Sequence, residues 1–239
     1  MKIHFSVDDV IYSLKDLAEK KPKSIFDLPF FGFLERMNKE YGAVFTLYMF
    51  ENFAESFFVN DIPKEYWDEI SACEFLKVGF HGTFFEESHE VFTKKCRNFY
   101  SCVPKELWSG IIRLHRYAAD EYMIDTLKPF GLEVLLCRED KCREDGDFPD
   151  SYILSGSEEK DIDTKVVYKN QVGYLKTIFR IEHYEKQELL LKLSEKIELC
   201  DSENDIISIF THEKICGNYF ETMEEVCRLI CSKKIDYLF

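Results

Sequence analysis

The chain has 239 residues, 46% hydrophobic and 15% aromatic, enough apolar material for one large domain spanning 1–239 with a substantial core. Its formal net charge of −14 repels polyanions and argues against a nucleic-acid partner. No apolar run approaches membrane-spanning length and the nine cysteines include no Cys-x-x-Cys pair, so a membrane span, a structural zinc cluster and a disulfide framework are all disfavoured.

In chain order, residues 2–7 read as a buried strand and 11–20 as a short helix. Phe31 to Tyr41 is helical by apolar spacing and stops at Gly42. Residues 43–49 are a continuous apolar strand. Pro63 opens a helix that runs to Cys73. Strand 75–80 follows, then a helix over about 86–100. Residues 109–115 read as a strand, 119–130 as a helix stopped by Gly131, and 132–137 as a buried strand. The polar stretch 138–165 is irregular, and an excursion over about 138–170 is expected near a functional rim. Residues 174–182 alternate like a half-exposed strand. Helix 185–198, strand 206–211 and a closing helix over 218–236 complete the chain. Buried strands alternating with helices indicate an α/β fold. About seven strands suit a closed or nearly closed barrel. Reduced thiols and a chain that begins directly with a strand suit a cytoplasmic protein.

Three strands run straight into polar tips: Lys2-Ile-His-Phe-Ser-Val-Asp-Asp9, Phe75-Leu-Lys-Val-Gly-Phe-His-Gly82 and Ile206-Ile-Ser-Ile-Phe-Thr-His-Glu213. In a parallel sheet or barrel such tips gather on one rim, where active sites form. Asp8 and Asp9 are adjacent, so one can bind a metal while the other acts as a base. The alternative is that Asp9 caps the helix that follows. Gly79 and Gly82 flank the Phe80-His81 pair and allow a close approach and a sharp exit. His89 is either a ligand or a surface helix residue. Arg116 could pair with Asp8 by a charge-assisted hydrogen bond. His4 and His183 lie inside strand patterns and read as structural.

Taken in order, these tips resemble the NodB-homology polysaccharide deacetylases, carbohydrate esterase family 4. The first family motif, Thr-Phe-Asp-Asp-Gly, is similar to Phe5-Ser-Val-Asp8-Asp9-Val10. The second, His-x-x-x-His, has His81 in its first place and Phe85 in its second. The third, an Arg that orients the base, resembles Leu114-His115-Arg116-Tyr117, without the usual Pro. The last, a strand ending in His, resembles Ile209-Phe210-Thr211-His212. The likeness runs from residue 3 to about 216.

The resemblance implies a distorted (β/α)7 barrel. It implies Asp8 as catalytic base, Arg116 as its orienting partner and His212 as general acid. It implies a divalent metal, zinc by preference, on Asp9 and His81. His89 is the candidate third ligand, should the chain after Gly82 loop out before the next helix. The activity implied is metal-dependent hydrolysis of a non-peptide carbon–nitrogen bond, the deacetylation of a small sugar-like substrate. Phe85 motivates the alternative of a degenerate member that binds a carbohydrate without turnover. A third reading is an unrelated α/β protein whose strand ends are only caps.

Overall fold

A computed structural model describes residues 1–53, 56–82, 88–117, 119–137, 154 and 162–239, with the backbone but not the side chain of Arg116. Phe85 and most of the expected excursion lie outside the described residues. The N-terminal apolar run forms β1, Lys2–Val10, buried from Ile3 to Asp8. Strands β2 (Phe45–Met49), β5 (Leu76–Phe80) and β11 (Ile206–His212) are similarly apolar. Burial on both faces explains why they read as continuous runs rather than alternating ones. A small antiparallel pair, β3 (Asn52–Phe53) and β4 (Phe57–Phe58), follows β2.

Strands β10 (Phe179–Arg180), β11, β1, β2 and β5 lie side by side and parallel, and β12 (Asp236–Tyr237) pairs with the start of β1. A second sheet runs β6 (Ile111–Ile112), β7 (Val134–Cys137), β9 (Val172–Lys176), β8 (Val167–Lys169), parallel except for the β8–β9 hairpin. The described strands form no closed barrel. Backbone hydrogen bonds run between the two sheets from Ser109 N–H to Val78 O at 2.9 Å, from His115 N–H to His81 O at 2.6 Å and from Ile178 N–H to Ser208 O at 3.0 Å.

The helices cover these sheets. They are α1 (Tyr12–Lys20), α2 (Pro29–Tyr41), α3 (Lys64–Ser71), α4 (His89–Cys102), α5 (Glu121–Leu127), α6 (Lys186–Leu199), α7 (Glu213–Cys216) and α8 (Phe220–Ser232). Helix α2 buries Phe30, Phe33, Leu34 and Met37, an i, i+3, i+4, i+7 stripe. Phe33 stacks on Phe220 of α8 at 4.0 Å between ring centres. Gly42 ends α2 in the left-handed region at φ 66°, as its sequence position foretells. No disulfide joins two of the described cysteines. Among the described residues no helix is long and apolar enough to cross a membrane.

Several boundaries differ from the sequence reading, each for a local reason. The segment 109–115 keeps only two strand residues, because a tight helical turn over His115–Tyr117 takes the chain over. The expected strand 174–182 is split into β9 and β10. Strand β8, inside the expected excursion, pairs with β9 through Asn170 and Gln171, both at positive φ (51° and 67°), the demand of a type I′ hairpin turn. Helix α8 ends at Ser232, and Lys234 at φ 56° redirects the chain into β12.

The start of α1 decides one alternative. Its free N–H groups are not capped by Asp9. They are capped by Glu213, whose carboxylate accepts from Ile11, Tyr12 and Ser13 N–H at 2.7, 2.8 and 2.6 Å. A buried acid just beyond β11 thus fixes the chain just beyond β1, and burial pushes its pKa up despite those three donors. Glu213→Ala is expected to lower stability by about 2 kcal/mol, read as a shifted urea midpoint at unchanged slope.

Candidate active site

The parallel register of β1 on β11 sets Asp8 directly beside His212. Strand β2 then separates β1 from β5, whose end carries His81. Two of the three polar tips are therefore adjacent by pairing, and the third reaches the same place through its side chain. His81 Nε2 lies 3.1 Å from Asp9 Oδ1 and 4.0 Å from Asp8 Oδ2. A Cβ on Gly79 would sit 2.7 Å from the Tyr48 ring, and Gly82 holds φ +79°, so both glycines beside His81 are required.

Asp8 is 2% exposed and is held by a guanidinium. That guanidinium belongs to Arg113, not Arg116. Arg113 Nη1 donates to Asp8 Oδ1 and Oδ2 at 2.9 and 3.1 Å and to Ser6 Oγ at 3.1 Å. Its Nη2 donates to Thr177 Oγ1 and Ser208 Oγ at 3.1 and 3.2 Å. The correction has a plain cause. Arg113 is the first residue after β6 and still points inward, whereas Arg116 sits on the turn that follows.

Asp9 sits where β1 leaves regular pairing. The register with β2 shifts between Val7 and Val10, and Asp9 adopts φ 57°. A non-glycine residue held in the left-handed region is a strained position of the kind found at functional sites. The bulge turns Asp9 away from Asp8 and towards the histidines. Burial alone would raise the Asp9 pKa, but His81, then His212 and His115, bring it down to about 2.

The His81–Asp9 contact, 3.1 Å long, is a hydrogen bond only when His81 carries a proton on Nε2. His81 Nδ1 faces the Arg113 carbonyl oxygen at 2.7 Å, and a carbonyl can only accept, so Nδ1 carries the proton. Nε2 then presents its lone pair to Asp9 Oδ1. Both atoms are buried, and neither has a hydrogen-bond partner. Two electron pairs facing each other at 3.1 Å call for a positive charge between them, a second proton on His81 or a metal ion. Burial depresses the His81 pKa, but Asp9 and Asp8 outweigh it and raise the pKa. The donor set fits two positions of a divalent ion, with a backbone carbonyl orienting the imidazole from behind as metal-bound histidines require. Among the described residues no group of three or more His, Cys, Asp or Glu side chains stands ready to hold a metal.

His212 closes β11 with its Nδ1 3.2 Å from Glu182 Oε1. The same oxygen accepts from the His212 N–H and the Thr211 hydroxyl, each at 2.7 Å. Burial would raise the Glu182 pKa, but His212 and Thr211 hold it at about 2. The sequence reading missed Glu182. The available signal was an acid just past a strand end, next to the strand whose terminal His needs a partner.

His89 is not with this group. It is the first residue of α4, behind an N-cap at Ser88, so the helix begins at the histidine instead of after it. Its Nε2 lies 2.6 Å from Asp120 Oδ2 and its ring stacks on Tyr122 at 4.2 Å. Its side chain is half exposed, against 1% for His81. His4, read as structural, is buried in β1 between the Leu238 carbonyl and the Tyr48 hydroxyl, and burial with the nearby Arg113 charge lowers its pKa to about 3.

The fold around this site has known counterparts. No family model and no curated protein matches the sequence. Among solved structures the chain is similar to a 4-α-glucanotransferase from Thermococcus litoralis, at 12% identity and a TM-score of 0.62, covering all of this chain and 39% of that one. It is similar to a family 4 carbohydrate esterase from Streptomyces lividans in complex with acetate, at 7% identity and a TM-score of 0.52, covering all of this chain and 92% of that one. It is also similar to a CE4-family pseudoenzyme from Bacillus anthracis, at 8% identity and a TM-score of 0.51, covering 99% and 62% of the two chains. The chain thus spans about two fifths of the glucanotransferase. At these identities the likeness is one of fold, a mixed α/β architecture shared with the CE4 deacetylases.

Two measurements check the electrostatics. Arg113→Met leaves Asp8 buried without its counter-charge and should cost about 3–5 kcal/mol by urea unfolding, with Asp8→Leu added to it recovering most of the loss. Glu182 is an ordinary carboxylate when unfolded, near 4.5, and is held at about 2 when folded. The stability it contributes is complete above pH 4.5 and is lost as pH falls towards 2. Glu182→Gln should flatten that acid limb of the unfolding midpoint.

Proposed function

We propose that the chain is a deacetylase-like hydrolase, a divergent relative of the CE4 enzymes, acting on a carbon–nitrogen bond of an N-acylated, sugar-like substrate with a divalent metal, zinc by preference. One observation carries the reading. A clamped carboxylate (Asp8), an orphaned carboxylate–imidazole pair (Asp9 and His81) and an acid-backed imidazole (His212 with Glu182) meet at the ends of neighbouring strands. Unrelated helix caps would not bring these groups together. The one residue that had a capping alternative, Asp9, caps nothing.

Asp9 Oδ1 and His81 Nε2 would hold the metal. A metal bound there lowers the pKa of a water and polarises the substrate carbonyl. The protein's own groups do the rest. Asp8 accepts the proton of the attacking water at a carboxylate oxygen. Arg113 spans both oxygens of Asp8 and fixes its direction. His212 delivers a proton to the departing amine nitrogen. Glu182 fixes the ring orientation of His212. One water is consumed, the carbon–nitrogen bond breaks, and a carboxylic acid and a free amine result.

The second reading, a degenerate binder, rests on Phe85 standing where the family places its second histidine. Acetate release from a panel of N-acetylated mono- and oligosaccharides separates the two. Zinc- or cobalt-loaded protein should release acetate, and Asp8→Asn and His212→Ala should each lower the rate about 10²–10⁴-fold. Saturable sugar binding without acetate release would establish the binder instead.

A further inference from the structure

Helix α4 carries two stripes. Phe92, Cys96 and Phe99 are buried, and Phe80 of β5 packs on the rings of Phe92 and Phe99 at 5.6 and 5.4 Å. Beside that stripe Val91, Lys94, Asn98 and Cys102 follow one another along the helix and line a cavity of about 490 Å³. The facing wall is the end of β4 and the helical turn Val59–Asp61 that follows it. A second cavity of about 400 Å³ shares Asn60, Ser101 and Cys102 with the first and continues to Trp67 of α3. The two make one groove along α4, of the size that takes a small ligand.

The groove is polar at its base and apolar on one wall. Glu51 is only 5% exposed although it carries a carboxylate. Asn98 Nδ2 donates to its Oε1 at 3.3 Å, and its backbone carbonyl accepts from Val59 N–H at 2.9 Å. Both walls therefore fix this acid. The Asn98 amide has a carbonyl oxygen and a second N–H beyond that bond, and Asn60 brings another exposed amide from the facing wall. The Phe58 ring, 37% exposed, lines the same cavity. A carboxylate at the base disfavours a compact anion there. A pyranose offers an apolar face of C–H bonds and a rim of hydroxyls, which an aromatic wall with amides and an acid matches. Phe50 packs on His81 at 5.1 Å while Glu51 lines the groove, so consecutive residues serve the strand-end site and this one.

We propose that this groove is a second carbohydrate site, outside the strand-end site, which takes a neutral oligosaccharide with a pyranose face on Phe58 and its hydroxyls on Glu51, Asn60 and Asn98. The choice of ligand class rests on the sugar-like substrate proposed above, but the groove itself uses neither Asp9 nor His81.

The test is a binding map without turnover. The full chain is stripped of metal by chelator and titrated with the trisaccharide of N-acetylglucosamine, followed by backbone amide NMR shifts. Shifts at Asn60, Lys94, Asn98 and Ser101 should saturate. Phe58→Ala and Asn98→Ala should each raise the Kd read from them about 5–10-fold, while Asp9→Ala leaves it unchanged. Shifts confined to residues around Asp9, His81 and His212 overturn the proposal on the wild type alone, so a variant that fails to fold does not shelter it. An unchanged Kd in both groove variants overturns it as well, as do groove shifts produced by inorganic phosphate and not by the trisaccharide. Acetate release by the metal-loaded protein with no groove shifts overturns the groove and leaves the hydrolase standing. Saturating groove shifts without acetate release support the groove and count against the hydrolase.

Discussion

The ion pair between Arg113 and Asp8 is the constraint on which the rest is built. Its guanidinium touches side chains from β1, the segment after β9, and β11, and it is carried at the end of β6. It therefore crosses from one sheet to the other. Burying both charges is costly, and the cost is met by near-complete hydrogen bonding of the guanidinium together with the face of Phe210 at 4.1 Å. A pair this expensive is weak support for stability and better support for specificity of placement. It allows Asp8 one direction and leaves the outward rim to Asp9.

Around that pair each polar group does one job. Glu213 secures the start of α1, which frees Asp9 from capping. The bulge at Asp9 turns its carboxylate to His81. The Arg113 backbone carbonyl fixes the proton of His81, so one residue serves both Asp8, by its side chain, and His81, by its main chain. Glu182 gathers the end of β11 through three contacts on a single oxygen. The site is assembled almost entirely from strand termini.

Much of this was legible in the sequence, and the exceptions are physically instructive. Asp8, Asp9, His81 and His212 could be read because each ends a long apolar run, and such runs mark central strands. Arg113 was passed over for Arg116 because β6 is only two residues long, too short for its periodicity to show which residue faces inward. His89 was drawn towards the site because Ser88 was not recognised as an N-cap, which puts the histidine on the outer face of α4. Glu182 and Glu213 stayed hidden because their partners are about 30 and 200 residues away in the chain. The hairpin at Asn170–Gln171 lacked the glycine that normally announces such a turn. The expectation of a closed barrel came from counting strands, and a count cannot show that the described strands divide between separate sheets.

Arg113 also fills space. Arg113, Tyr48 and Phe210 are each 2% exposed or less and pack face to face below the rim. These three side chains fill the interior directly below the strand ends. The ion pair is thus also a packing element: the charge that orients Asp8 occupies core volume that an apolar side chain would otherwise fill.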